Sequence, residues 1–338
     1  MKNVLFATTA LVAMTGSAMA ASHGGMSPTV SWGGSVTAGY NDVIEGGLFL
    51  QGDLAASVKV DLGDSVTAEF AWGGFDWNNN VVTTSDKITA TVTYTNGNMT
   101  ASLKAGDLND KGASEYFYAD RDGMAVDVEN QDGASDIRAL IEFGNFGVAA
   151  GCSAVGGVIG TCEGYNVGLG ATFGSIKLGV GYDNASAPQV GVTAVSADAT
   201  FGSFDIGASY ATSTPQNSIG LTAGATFGAV KAKAYYALNS VAADAYGVSV
   251  DYDAGAINVH AYYDSAATST YGVDLGYDLS DALKANVGVY NGGTFVYYAG
   301  IDYAVNSNIS ATLSYATADA ISGPEYKDGI TALITAEF

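Results

Sequence analysis

Apolar and polar residues alternate along almost the whole chain, and this period of two constrains the fold more than any other feature of the sequence. A clear example runs from Leu48 to Leu62, where leucine, alanine and valine share one parity and glutamine, serine, lysine and aspartate share much of the other. Similar runs recur from Val30 to Phe338. Successive side chains of a strand point to opposite faces, so each run predicts a strand with one apolar and one polar face. Each is about ten residues long, which suits a tilted membrane-crossing strand.

About twenty such runs follow one another without a linker. A sheet of that size in lipid must close, because open edges would leave backbone amides unsatisfied. The predicted fold class is all-β, a closed antiparallel transmembrane β-barrel that forms one domain over residues 21–338. The alternatives are a soluble β-sandwich, a β-solenoid, and a smaller barrel with a soluble domain. No fixed repeat and no compositional break favours any of these.

Residues 1–20 have the pattern of a cleaved secretory signal. A basic start at Lys2 precedes an apolar stretch over Val4–Met14, and Ala18-Met19-Ala20 is a small-x-small cleavage site. Export places the two cysteines in an oxidising compartment. Cys152 and Cys162 therefore form either a loop disulfide or two free thiols.

The residues at the ends of the predicted strands form a second regular pattern. Many apolar faces end in an aromatic residue followed by a tight glycine or polar turn, as in Phe143-Gly144-Asn145, Phe173-Gly174-Ser175, Phe201-Gly202-Ser203 and Phe227-Gly228-Ala229. Aromatic rings are favoured at a lipid–water interface. Longer polar stretches, such as 183–189, 212–218 and 316–328, are expected to join the strands at the opposite end.

One segment, from Asp107 to Asp136, breaks the alternation and is strongly acidic. Its length predicts a functional or a disordered loop. The apolar residues around Tyr118 and Met124 favour packing inside the barrel against its wall, and the alternative is a solvated loop outside. The predicted constriction residues are Asp107, Asp110, Glu115, Asp120, Asp122, Asp127, Glu129 and Asp132.

The net charge of −22 excludes nucleic acid as a partner. A barrel with a polar, charged lumen is predicted to be a channel, and a channel with an acidic lumen should prefer cations. The predicted wall charges are Asp53, Lys59, Glu69, Lys104, Arg138 and Glu142.

Three carboxylates of the acidic loop raise the question of calcium. Asp120, Asp122 and Glu129 fit positions three, five and twelve of an EF-hand loop, but Tyr118 takes the first position, where an acid is required. An EF-hand is therefore excluded, while a looser calcium site from these carboxylates stays open. No cofactor is required.

Catalysis is not expected. The mature chain offers two histidines, His23 and His260, without a G-x-S-x-G motif or a metal-spaced pair. We therefore predict no catalytic residues and no enzyme activity. Two other functions stay open, a structural surface barrel and a sugar-specific channel lined by Tyr235, Tyr262, Tyr290 and Tyr298.

The sequence resembles the general diffusion porins of Gram-negative bacteria, the alphaproteobacterial type in particular. The resemblance is carried by the leader, the acidic loop, the hairpin 143–147, the segments 230–236 and 245–250, and terminal Phe338. It implies a homotrimer of water-filled barrels in the cell outer membrane that passes small hydrophilic solutes and ions, with the third loop folded inward. It also implies that the assembly machinery recognises the last strand through Phe338. The family norm is sixteen strands with a basic cluster on early strands, and this chain departs from both.

Overall fold

The computed structural model is one closed sheet of antiparallel strands. It describes residues 28–44, 47–78, 81–84, 88–106, 112–128, 137–154, 162–184, 191–266, 269–319, 324 and 326–338. Only the backbone is described for residues 74–78, 81–84, 153, 154, 162 and 163. The predicted leader lies outside these ranges.

The described residues form twenty-one strands of the sheet. In chain order they are β1 (Thr29–Asn41), β2 (Leu48–Gly63), β3 (Val66–Asn78), β4 (Val81–Thr84), β5 (Ile88–Asn96), β6 (Met99–Gly106), β7 (Ile137–Phe143), β8 (Phe146–Ala154), β9 (Cys162–Phe173), β10 (Ile176–Asn184), β11 (Val192–Phe201), β12 (Phe204–Ser213), β13 (Gln216–Phe227), β14 (Val230–Asn239), β15 (Ala245–Ala254), β16 (Ile257–Asp264), β17 (Thr270–Ser280), β18 (Leu283–Asn291), β19 (Phe295–Asn306), β20 (Ile309–Ala316) and β21 (Gly329–Glu337).

The sheet closes on itself because β1 pairs antiparallel with both β2 and β21. Strands β4 and β5 both pair with β3, β4 along residues 75–78 and β5 along residues 66–72, so they share one position in the barrel. The strands therefore fill 20 positions, and an even number is what antiparallel closure requires. The predicted closed antiparallel barrel is confirmed, and its 20 positions agree with the count of about twenty runs rather than with the family norm of sixteen.

The two ends of the barrel differ in their connections. At the turn end, most strands are joined by tight turns in which a glycine takes a positive φ, such as Gly144 (φ 57°) and Gly174 (φ 61°). The loop end carries longer segments, including the acidic one. One predicted long connection is wrong: β12 ends at Ser213 and β13 begins at Gln216, so only Thr214 and Pro215 lie between them.

Apolar side chains cover the outer face and polar side chains are buried inside. Leu221 is 46% exposed and Val248 54% exposed on the outer face, whereas Ser209, Asn286 and Thr331 are buried on the inner face. This arrangement inverts that of a water-soluble protein and suits a barrel surrounded by lipid. Among the described residues, no helix is both long and apolar enough to span a membrane.

Aromatic rings flank the outer apolar band at both ends. Phe146 and Phe173 pack edge to face near the turn end, with centroids 5.8 Å apart, and Tyr246 and Tyr263 pack near the loop end at 5.8 Å. On β9, Tyr165 and Phe173 lie near opposite ends, separated along the strand by roughly 27 Å at about 3.4 Å per residue. A transmembrane barrel has aromatic girdles around an apolar band about 25 Å tall.

Cys152, on β8, is disulfide-bonded. The sequence contains one other cysteine, Cys162, whose side chain lies outside the described part of the chain. Closure of so short a loop would contribute about 2–3 kcal/mol by restricting the unfolded chain.

Candidate functional site

The described part of the acidic loop, residues 112–128, lies inside the barrel along its inner wall. Its apolar side chains are buried against small side chains of β11, β12, β14 and β15. The loop contributes Tyr118, Met124, Val126 and Val128, and the wall contributes Val192, Ala194, Ala211, Ala237 and Ala245. A loop outside the barrel could not make these contacts, so the alternative of a solvated external loop is wrong for residues 112–128.

Small polar side chains of the wall bind the loop backbone. The Ser196 Oγ accepts a hydrogen bond from the Ala119 amide (3.0 Å), and the Ser209 Oγ donates one to the Ala119 carbonyl (2.5 Å). The Val126 amide donates to the Ser218 Oγ (3.0 Å). Irregular backbone has to find such partners when it is buried. Further bonds join the Ala113 amide to Asn166 Oδ1 (3.1 Å) and Asn239 Nδ2 to the Gly123 carbonyl (2.9 Å).

Glycines on the inner face leave room for the loop. A Cβ atom at any of three wall positions would collide with a loop carbonyl oxygen: Gly168 with that of Ala113, Gly179 with that of Phe117, and Gly181 with that of Ser114. The Phe117 ring fills the space beside Gly147 and Gly170 in the same way. The loop therefore lies in a groove along β8, β9 and β10, where the wall residues are glycines without side chains.

The charged side chains of the loop divide into buried and exposed sets. Arg121 donates from Nη2 to Asp198 Oδ1 on β11 (2.5 Å), and its side chain is only 9% exposed. Glu115 and Asp127 are buried, whereas Asp120 and Asp122 are exposed. Two carboxylates therefore face the lumen from the described part of the loop. Asp107, Asp110, Glu129 and Asp132 lie outside the described residues.

Tyr118 anchors the centre of the loop as a neutral group. Burial raises its pKa, and the nearby carboxylate of Asp127 raises it further. Its hydroxyl therefore stays protonated, so no phenolate charge is buried beneath the loop.

A cavity of about 770 Å³ lies between the loop and the part of the inner wall formed by β10 to β16. Asp120 and Asp122 line it from the loop, and Lys177 and Lys233 line it from β10 and β14. The family norm has its basic cluster on early strands, whereas these two lysines lie on β10 and β14. Both lysines have the parity of the inner face in the sequence, and only the path of the loop brings Asp120 and Asp122 to the same cavity.

His260, one of the two histidines considered for catalysis, lines this cavity together with Asp264, but the two residues have different partners. The His260 Nδ1 lies 2.7 Å from Asp251 Oδ1, and Asp264 Oδ1 accepts a hydrogen bond from the Tyr235 hydroxyl (2.6 Å). The two residues therefore do not form a histidine–carboxylate pair with each other.

The predicted wall charges are spread over the inner face. Arg138 lies against the loop, with its guanidinium 5.3 Å from the centroid of the Tyr116 ring. Lys104 is opposite Arg138 in the sheet register, and Lys59 is opposite Glu69. Glu142 is opposite Thr100, and Asp53 accepts a hydrogen bond from the Ser35 hydroxyl (2.5 Å). Arg138 is therefore in direct contact with the described part of the loop.

The proposed calcium ligands are only partly described. Asp120 and Asp122 are exposed, and Glu129 lies outside the described residues. Within the described ranges, no group of three or more histidine, cysteine or acidic side chains is arranged to hold a metal ion. Calcium binding stays a prediction.

Comparisons with known proteins find similarity in structure only. No family model matches the chain, and no curated protein matches it. Among solved structures, a triple mutant of the Rhodopseudomonas blastica porin is 14% identical, with a TM-score of 0.45, over 91% of this chain and 100% of that one. Another mutant of the Rh. blastica porin is 13% identical, also at 0.45, over 92% of this chain and 100% of that one. Similarity at this level does not establish a family.

Proposed function

We propose that the protein is a passive diffusion channel of a Gram-negative outer membrane that admits small hydrophilic solutes and ions. The observation that carries the proposal is the acidic loop, which runs along the inner wall of a closed barrel and leaves a cavity of about 770 Å³ beside it. The apolar outer face supports insertion into lipid, and the polar inner face supports a water-filled path.

Cation preference is part of the proposal. Asp120 and Asp122 are exposed to the lumen, while the only described base of the loop, Arg121, is neutralised by Asp198. Carboxylates that line a constriction with low-dielectric walls raise the local concentration of cations and repel anions. Lys177 and Lys233 line the same cavity as these carboxylates. They should moderate the preference and orient dipolar solutes.

Neutralising the two exposed carboxylates tests the proposal. In a planar bilayer under a salt gradient, the wild-type protein should give a reversal potential of the sign set by cation flow. The double variant Asp120→Asn, Asp122→Asn should move it toward zero by an amount on the order of 10 mV. Asp127 is left unchanged because it is buried within the loop.

Asp64→Asn is the matched control. Asp64 lies in the turn between β2 and β3, with a φ of 48° that asparagine also tolerates. The same loss of charge at the turn end should leave the reversal potential close to that of the wild type. An equal shift in both variants would show that net charge, not the loop, sets selectivity, and no shift in either would remove the loop from the ion path.

A sugar-specific channel is the second candidate. Tyr235 and Tyr262 line the cavity, and Tyr262 stacks on His260 with ring centroids 5.5 Å apart. Tyr290 and Tyr298 are buried, so their rings are not exposed to a sugar that passes through the lumen. Concentration-dependent block of the current by added sugar would support this candidate, and a barrel that inserts without conducting would support a purely structural role.

The sequence supports further parts of the proposal. These are a cleaved leader over residues 1–20, a mature barrel over residues 21–338, a homotrimer, recognition of Phe338 by the outer-membrane assembly machinery, and a calcium ion held by loop carboxylates. No enzyme activity and no nucleic-acid binding are proposed.

A further inference from the structure

The connection between β20 and β21 places a tyrosine inside the barrel. The described part of this last loop comprises Thr317–Asp319, Pro324 and Tyr326–Asp328. Tyr326 is only 5% exposed. Its hydroxyl donates to Asp302 Oδ2 on β19 (2.7 Å) and accepts a hydrogen bond from Asn286 Nδ2 on β18 (3.1 Å). Both partners lie on the inner face of the wall, so the side chain points into the lumen.

The wall has a recess that fits the Tyr326 ring. The ring packs edge to face on Tyr298, with centroids 5.5 Å apart, and it also packs against Ala316. A Cβ atom at Gly300 of β19 would lie 2.5 Å from the ring. This is the same arrangement that seats the acidic loop, in which a wall glycine leaves space for a loop side chain.

Hydrogen bonds hold the rest of the described loop in place. The Tyr290 hydroxyl donates to the Asp319 carbonyl (2.6 Å), and the Asp328 amide donates to Asp319 Oδ1 (2.9 Å). On the other side, Asn41 Nδ2 of β1 donates to the Asp328 carbonyl (2.7 Å). Contacts to β1, β18 and β19 therefore fix the position of the loop as well as that of its tyrosine.

The two inward loops cover different arcs of the wall. The acidic loop contacts strands from β7 to β15, and the last loop contacts β18 to β20 and β1. The diameter of a barrel grows roughly in proportion to its strand number, so 20 positions enclose a lumen about a quarter wider than sixteen do. One loop that follows the wall leaves the opposite side of such a lumen open.

We propose that the last loop, anchored by Tyr326, is a second constriction element, and that it and the acidic loop together set the size limit of the pore. The inference rests on the proposed channel function and adds a size-determining residue to it. The last loop also covers carboxylates of the wall. Asp302 accepts hydrogen bonds from Tyr326, Asn286 and Thr312. The last loop thus narrows the pore and shields one of its acids.

Two variants that release the loop by different routes test the proposal. Tyr326→Ala removes the anchor, and Gly300→Ala fills the recess from the wall side. Each should raise single-channel conductance on the order of 1.5-fold, because conductance follows the open cross-section. Each should also admit larger uncharged sugars in a vesicle-swelling assay with saccharides of increasing length.

Two controls separate the pore effect from general damage. Tyr326→Phe keeps the ring in its recess and should retain the wild-type size limit. Tyr315→Ala removes a ring from the outer face of neighbouring β20, where Tyr315 is exposed, and should leave conductance unchanged. Heat-modifiable gel mobility reports whether each variant folds.

The outcomes are distinguishable. Wild-type conductance with an unchanged size limit in folded Tyr326→Ala and Gly300→Ala would overturn this inference and leave the channel function standing. A folded wild-type protein that does not conduct would overturn both.

Discussion

Replacing Leu221 with arginine is expected to lower the free energy of unfolding in lipid by about 2–4 kcal/mol. Leu221 lies at the middle of β13 on the outer face, where it is 46% exposed. An arginine there would place a charge at the centre of the apolar band between the two aromatic girdles. Equilibrium denaturation of the protein in lipid vesicles measures the change.

The adjacent residue supplies the control. Thr222 lies on the inner face and lines the cavity, so its side chain has water beside it. Thr222→Arg should cost far less stability and should alter conductance instead. Equal losses from the two arginines would mean that the outer face of β13 does not meet lipid.

Alanine in place of Gly168, Gly179 and Gly181 is expected to displace the acidic loop from the wall. Each new methyl group would meet a loop carbonyl oxygen, and overpacking of this kind costs about 1–3 kcal/mol per site. Every 1.4 kcal/mol changes an equilibrium about tenfold, so the three together should leave the loop detached most of the time. Single-channel conductance should then rise, and the cation preference contributed by Asp120 and Asp122 should weaken.

Gly224→Ala is the matched control for this set. Gly224 lies on the inner face of β13, and a Cβ atom there would have its nearest neighbour at 3.7 Å, an ordinary contact. That variant should conduct like the wild type. If the triple variant also conducts like the wild type while remaining folded, the wall glycines do not position the loop.

Alternation alone predicted the strands because it is a local property of each run. The inner and outer faces are set by parity, and residues such as Leu221 and Ser209 therefore lie on the side that parity assigns. Strand number is harder to predict, because a strand can be interrupted. Strands β4 and β5 are separated in the chain, but both pair with one neighbour, β3.

Polar residues of the inner face misled the prediction of loops. The stretch 212–218 reads as a polar connection, yet Thr212 and Ser218 lie within β12 and β13. Ser218 is polar because it binds the amide of Val126 in the loop. A residue that faces a wet lumen has the same composition as one in a loop, so sequence alone does not separate the two.

Contacts between distant segments account for most of what the sequence did not predict. The apolar residues of the acidic loop indicated that it packs on a wall, but not on which wall. Wall glycines such as Gly179 determine where the loop packs, because they leave room for it. In the sequence they indicate only a residue with a low preference for strand. Tyr326 was missed for the same reason, because its partner recess at Gly300 is meaningful only once the strands are in register.

The seam between β1 and β21 has a consequence for biogenesis. Ser35 is paired with Glu337, and the Gly34 and Phe338 backbones exchange two hydrogen bonds of 3.1 Å. In the proposed outer-membrane channel, a chain whose β21 has not yet formed lacks that final partner, and it would leave two unpaired strand edges open to other copies of the chain. We therefore expect that shortening β21 increases aggregation and degradation of the newly made protein before any change in permeability is seen.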